Sequence, residues 1–379
     1  MPKISLKDLH QYFPLEFINL KDPSNWNNVR NRLFNYEQIN LNIANLGLDL
    51  TSEIIPKEKR KEISINPLNQ YELGRFYYEK NIKLAKKLFF VGNFFETEIT
   101  VSSSQLSSLI SRSIKNQNAR ILTTKFEHEG GLSSFENNHN CHKVNIYQLL
   151  TKEIYQKIKP DFIIISSALY KTGELLPLKN IWEISKKYSP NSILILDAAQ
   201  TLGVYKIDMN YCDISFASFH KWCHGPKGFG IISYKKNQKL LEKCFFGSDI
   251  TVKNNFFTLS GGQDFFKYLE IYFILKLFSK LTLNKILKRL IYLKSSLKDY
   301  LDEFGVKTID YKACHDGILT VKSNRKNIYF QYKKLQKQGI YVKCFAETGK
   351  FRLSIPFFES DLRLKKAAKI IGETICLKK

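Results

Sequence analysis

The sequence predicts an α/β protein: a large domain with a mainly parallel sheet covered by helices, then a smaller C-terminal α/β domain. Three observations predict it. Short apolar runs of strand length, such as 162–165 and 192–196, are bounded by polar residues. They alternate with helical patterns, as where Leu106, Leu109, Ile110 and Ile114 share one face. After a long helical stretch the alternation resumes on a smaller scale, with strand-like runs at 318–321, 340–345 and 351–355. Strands alternating with helices pair in parallel and take helices on both faces. The expected organisation is an N-terminal segment, 1–45, a large domain, 46–260, and interdomain helices with a small domain, 261–379.

Taken in order, residues 1–45 carry little periodicity, and the wall they would build is not specified. Residues 73–89 read as an amphipathic helix and 97–101 as a short strand. Ser102-Ser103-Ser104-Gln105 follows and opens a helix. Serines at a strand-to-helix junction present hydroxyls and free N–H groups at a positive helix end, which suits a phosphate; the plain alternative is an N-cap. Arg120–Thr124 is the next strand, followed by Phe126-Glu127-His128. The polar run 137–142 holds two histidines and a cysteine and reads as a loop, not a ligand set. A helix at 181–188 leads to the strand 192–196, which ends in Asp197. That acid falls at the C-terminal edge of a strand, where open α/β sheets place their ligands. The strand 213–219 runs directly into His220-Lys221. A lysine so placed can be desolvated, which favours its neutral, nucleophilic form. Gly225, Gly228 and Gly230 allow tight turns before a strand at 229–234. The stretch 257–264 reads as the seam between domains, and a last helix begins near Ser360-Asp361.

Composition narrows the class. The chain has 379 residues, 44% hydrophobic and 25% charged, as expected of a soluble globular protein. Its most apolar stretch, 265–278, is interrupted by Lys267, Glu270 and Lys276. It is shorter than the ~20 apolar residues of a membrane span, so it reads as a buried or dimer-facing helix. The first residues show neither the apolar core nor the cleavage site of a signal peptide. Seven widely spaced cysteines without a C-x-x-C pair fit reduced thiols in a cytoplasm and give no metal-site spacing. The net charge of +24 raises the question of a nucleic-acid partner. The lysines are scattered rather than clustered, so composition is the simpler account, and 57–61 is a solvated cluster.

The ordered set Asp197, Gln200, Ser218, His220 and Lys221, with the glycines after it, resembles the cofactor-lysine region of the class V aminotransferase family. These are pyridoxal phosphate (PLP) enzymes and include cysteine desulfurases and isopenicillin N epimerase-like proteins. The resemblance implies PLP fold type I, PLP as cofactor and a homodimer. It implies a Schiff base at Lys221, the Asp197 carboxylate at the pyridine nitrogen, and Gln200 at the ring hydroxyl. Ser218 and His220 match phosphate contacts, and Ser104 and Gln105 match the Thr-Glu-type pair of the phosphate loop. His128 matches the histidine that stacks on the ring. Gly261 stands where a threonine commonly reaches the neighbouring subunit's phosphate, so a backbone N–H or Ser260 would serve instead. Arg352 matches the arginine that binds the substrate carboxylate, a task suited to a planar guanidinium.

The departures bear on the reaction. Glu129-Gly130-Gly131 is unlike the desulfurase pattern. Leu169 and Tyr170 occupy a loop where desulfurases carry Asn, while Thr172-Gly173 is kept. Cys344 is the only thiol near Arg352 and falls at a strand end rather than a loop tip. The expectation is therefore an amino-acid enzyme working through Cα carbanion chemistry, lyase or epimerase-like. Cysteine desulfuration and transamination are the alternatives, and a PLP-fold scaffold without turnover is the alternative of another class.

Overall fold

The computed structural model describes residues 26–50, 57–65, 67–236, 244–245, 264–311, 313–323 and 328–375. Seven strands form the central sheet, in the order Phe95–Val101, Phe229–Lys235, Ile214–Ser218, Ile193–Asp197, Phe162–Ser166, Arg120–Thr124, Asn140–Val144. Only Phe229–Lys235 runs antiparallel to its neighbours; every other pairing is parallel. The expected mainly parallel α/β sheet is thus the one observed.

The strand sequences explain the arrangement. Ile193, Leu194, Ile195 and Leu196 are all buried, so this strand is covered on both faces. Each such side chain contributes about 1.5–3 kcal/mol on burial. Ile193 and Ile195 join a cluster with Leu106, Ile110 and Phe135 on one face; Leu194 and Leu196 join the main core on the other. Register then aligns the polar strand ends: Ser166 is the partner of Asp197, and Asp197 of Phe216.

The helix Phe265–Leu281 is capped by Asp264, whose Oδ1 accepts the Phe266 N–H at 2.8 Å. It buries Phe265, Ile271, Phe273, Ile274, Leu277 and Phe278 within the chain. Its apolar character is therefore used internally, against the helix Pro67–Phe89, through contacts such as Tyr77 with Phe265. No helix among the described residues is long and apolar enough to cross a membrane.

The helix Leu283–Glu303 joins two cores. Ile286 and Leu290 lie in the main core, and Leu293, Leu297 and Leu301 in that of the small domain. The small domain is a four-stranded sheet in the order Thr308–Ile309, Ile318–Lys322, Lys350–Ser354, Lys343–Phe345, backed by Asp361–Ile375. The expected strand 340–345 is two strands. Ile340–Tyr341 pairs in parallel with Ile39–Asn40, while Lys343–Phe345 pairs with Lys350–Arg352. The run 137–142 is likewise not a loop: the helix Glu129–Asn138 ends there and the strand Asn140–Val144 begins. Its alternation is polar because it is the sheet's edge, with one parallel neighbour.

Residues 26–50 contribute to both cores. Leu33 and Phe34 belong to the main one, and Ile39 and Leu41 to the small one. The Ser354 N–H donates to the Leu41 carbonyl at 2.7 Å, and Ala44 N–H to Ser354 Oγ at 3.0 Å. This segment then crosses to the large domain, where Gly47 N–H donates to the His220 carbonyl at 2.6 Å.

Candidate active site

The C-terminal strand ends, the start of the helix Ser103–Ser113, the 44–45 segment and the small-domain sheet enclose a cavity of about 170 Å³. Of the residues expected from sequence, Ser104, His128, Asp197, Gln200, His220, Lys221 and Arg352 line it. Gln105 and Ser218 do not. Gly261 and Ser260 lie outside the described residues, as does all of the 257–264 seam except Asp264.

Gln105 is drawn off by the helix start: its Oε1 accepts from Ser102 N–H at 3.3 Å and Ser102 Oγ–H at 2.9 Å. That is a capping interaction, the plain alternative for this run. Ser218 works one layer further back. Its Oγ accepts the Ser103 N–H at 2.7 Å and lies 2.8 Å from Ser103 Oγ. Ser218 thereby fixes the serine run, of which Ser102, Ser103 and Ser104 all reach the cavity. The first-turn N–H groups of a helix have no intrahelical acceptor and favour an anion.

Lys221 follows the strand Ile214–Ser218 in a tight turn held by His224 N–H to Lys221 carbonyl, 3.1 Å, and Gly225 N–H to Phe219 carbonyl, 2.9 Å. Burial, with Arg352 adding to it, lowers the Lys221 amine below the ordinary lysine range; Asp197 opposes the shift. The amine is thus biased toward its neutral, nucleophilic form. Asp197 Oδ1 accepts the Ala199 N–H at 2.8 Å. Its other oxygen, Oδ2, lies against Gly131, where a Cβ would approach to 2.9 Å.

His128 Nδ1 accepts the Gly130 N–H at 3.0 Å and so caps the helix Glu129–Asn138. That bond leaves the proton of the neutral ring on Nε2. Enclosure by the cavity walls, with Lys221 next, pushes the His128 imidazole below its ordinary range. The ring meets that of Tyr170 edge-on at 4.8 Å. Glu127 spans two strand ends. It accepts from Thr124 Oγ1 at 2.7 Å, from Ser166 N–H at 2.9 Å and from Ser166 Oγ–H. Removal from water, with Asp197 adding to it, raises its carboxyl to about 7 against the pull of these bonds.

Gln200 is pinned at both ends of its amide, donating to the Ala44 carbonyl at 2.9 Å and accepting from Trp222 Nε1 at 3.0 Å. Arg352 is 2% exposed. It donates to the Tyr170 carbonyl, and its Nε has no partner. Burial lowers its guanidinium to about 10. His220 Nδ1 is likewise buried and unpartnered, and burial holds that ring at about 4.

Residues 98–350 match the family described as Aminotransferase class-V. The chain belongs to the class-V aminotransferase family. A probable cysteine desulfurase of Mycoplasma genitalium is 34% identical over 99 residues, 25% of this chain and 24% of that protein. The chain thus matches about a quarter of that curated relative. Among solved structures, a cysteine desulfurase of Thermococcus onnurineus aligns over 92% of this chain and 98% of its own, with TM-score 0.73 and 16% identity. The cystine C–S lyase C-DES aligns over 89% and 98%, with TM-score 0.72 and 16% identity. At such identities the likeness speaks to the fold, which is that of the PLP fold type I enzymes.

The cavity fits the family's cofactor on its own features. A lysine shifted toward its neutral form, a strand-end carboxylate, an unpartnered buried imidazole and a serine-rich helix start face one space. Sequence reasoning missed Ala44, Asn45, Tyr170 and Lys343, which also line it. Of these four, the sequence marks only Tyr170, as a departure. The other three reach the cavity through long-range pairing that has no local signal.

Proposed function

We propose that the chain is a PLP-dependent enzyme that acts on an amino acid by removing its Cα proton, with Lys221 as cofactor lysine and base. The observation that carries this reading is that Lys221, Asp197 and Arg352 face one cavity while Arg352 lacks a counter-ion among the described residues. When bound, PLP supplies an aldehyde that condenses with amines and a ring that takes up the electron pair released at Cα.

The chain's own residues divide the remaining work. The Ser102–Ser104 helix start and His220 Nδ1 would hold the phosphate. Asp197 would keep a proton on the ring nitrogen, and His128 would cover one ring face. Gln200, its amide already fixed by Ala44 and Trp222, limits where the ring hydroxyl can lie. Arg352 would bind the substrate carboxylate, orienting the Cα–H bond toward Lys221 Nζ. Lys221, with its amine free, would accept that proton at Nζ and could return it. Ala44 and Asn45, which line the cavity, would restrict access of water from the N-terminal side.

Delivery of a proton to the opposite face of Cα gives epimerisation, and loss of a β-substituent gives a lyase; these are preferred. The relatives' names favour cysteine desulfuration as the second reading. Cys344 weighs against it. It sits within the strand Lys343–Phe345, does not line the cavity, and its thiol is raised by burial, away from the reactive thiolate. Sulfide release from cysteine that is lost in Cys344→Ser would favour desulfuration instead.

The test is the visible absorption spectrum of the purified protein beside Lys221→Ala, before and after amino acids are added. A borohydride-sensitive band in the wild type alone, shifted by substrate, is the expected result. Absence of any band after incubation with PLP overturns the reading and favours a scaffold role.

A further inference from the structure

We propose that the cavity selects amino acids whose side chain carries a second anionic group, with Lys343 receiving that group beside Arg352. The inference deepens the reading above and rests on it. Its basis is a pair of like charges. Lys343 and Arg352 are direct partners across the antiparallel strands Lys343–Phe345 and Lys350–Ser354. Directly opposed residues project from the same sheet face, with Cβ atoms about 4.5–5.5 Å apart. Both line the cavity.

Like charges in this position are destabilising. Little water screens this pair, because Arg352 is 2% exposed and Lys343 half-buried. Some half-buried cations in the chain have acids, while others, such as Lys86 and Lys294, donate to the Phe95 and His315 carbonyls. Lys186 and Lys235 share Asp213, at 3.0 and 3.8 Å. Lys171 takes Glu347, the acid nearest in sequence to Lys343, at 2.9 Å, and Lys343 acts on that carboxylate only as a weaker, more distant charge. Among the described residues, no carboxylate forms an ion pair with either Lys343 or Arg352. Among the described residues, Asp197 is the only acid lining the cavity, against Lys221, Lys343 and Arg352.

One α-carboxylate would neutralise one of the two opposed cations. A neutral side chain would leave the other uncompensated in a poorly screened site. A second carboxylate, or another anionic oxyacid group, removes the imbalance. The cofactor phosphate has separate donors, since Ser102–Ser104 and His220 belong to the large domain while Lys343 extends from the small one.

The test uses the PLP-loaded protein and calorimetric titration with propionate and with succinate, with no turnover required. The wild type is expected to bind succinate at least about tenfold more tightly than propionate, the value of one charge-assisted hydrogen bond. Lys343→Met should bring that ratio near one through loss of succinate affinity, and Lys343→Arg should restore it. Equal binding of the two acids by the wild type, binding of neither, or an unchanged ratio in Lys343→Met overturns the proposal. So does loss of the cofactor band from Lys343→Met, which would make Lys343 a cofactor ligand. The band recorded on the same samples separates the two readings. A band with a ratio of one removes the substrate class alone; no band in any sample removes the enzyme reading with it.

Discussion

Gly131 approaches the Asp197 carboxylate so closely that a Cβ at that position would lie 2.9 Å from Oδ2. The helix Glu129–Asn138 thus reaches the strand-end acid only because residue 131 has no side chain. This gives a physical reason for a Gly-Gly pair that departs from the desulfurase pattern.

Gly131→Ala separates two effects. Alanine is the better helix former by about 0.8–1 kcal/mol, so the helix itself should not weaken. The added methyl must move the Asp197 carboxylate, which would take it from the place proposed for it at the ring nitrogen. PLP affinity is expected to fall by about tenfold or more, with the melting temperature of the cofactor-free protein nearly unchanged. Cofactor titration followed by absorbance, beside thermal melts, checks both halves.

Glu127 should make stability depend on pH. Its folded carboxyl is raised from 4.5 to about 7, so the native state holds a proton that the unfolded chain releases earlier. The stabilising contribution is full below about 4.5 and is lost as pH rises through about 7. Glu127→Gln cannot ionise and should flatten this slope. Urea unfolding of both proteins at pH 5 and pH 8 measures it; parallel slopes would remove Glu127 as the source.

Arg352 places function against stability. A buried guanidinium without a counter-ion carries a desolvation cost. Arg352→Met should therefore leave the cofactor-free protein as stable as the wild type or more so. Binding of an amino acid should weaken by roughly 10- to 100-fold, the range for a lost charged hydrogen bond. The shift of the cofactor band with amino-acid concentration reports the binding, and denaturant unfolding reports the stability.

Gly47 closes the N-terminal wall. Its N–H meets the His220 carbonyl at 2.6 Å, and a Cβ there would overlap the Lys221 carbonyl oxygen. Gly47→Ala should push this segment off the Lys221 turn and destabilise the protein by about 1–3 kcal/mol, the usual cost of overpacking. Borohydride should then reach the cofactor faster than in the wild type. Unchanged stability together with an unchanged reduction rate would count against the segment as a wall.

The sequence by itself determined the layered α/β fold, because apolar strand runs and helical periodicity are local signals. It also determined the order Asp197, His220, Lys221 around two strand ends. The burial of 265–278 was open between core and dimer surface, and the structure places it in the core. Tertiary structure alone decided which polar residues share the cavity. Ser218 and Gln105 are spent on fixing the helix start, a choice made by bonds to Ser103 and Ser102. Lys343 faces the cavity because its strand is registered against Arg352, and Ala44 because Ser354 binds its N–H from 310 residues away. Periodicity records which face of an element is apolar. It does not record which strand will lie beside another, and in this cavity that pairing sets the balance of charge.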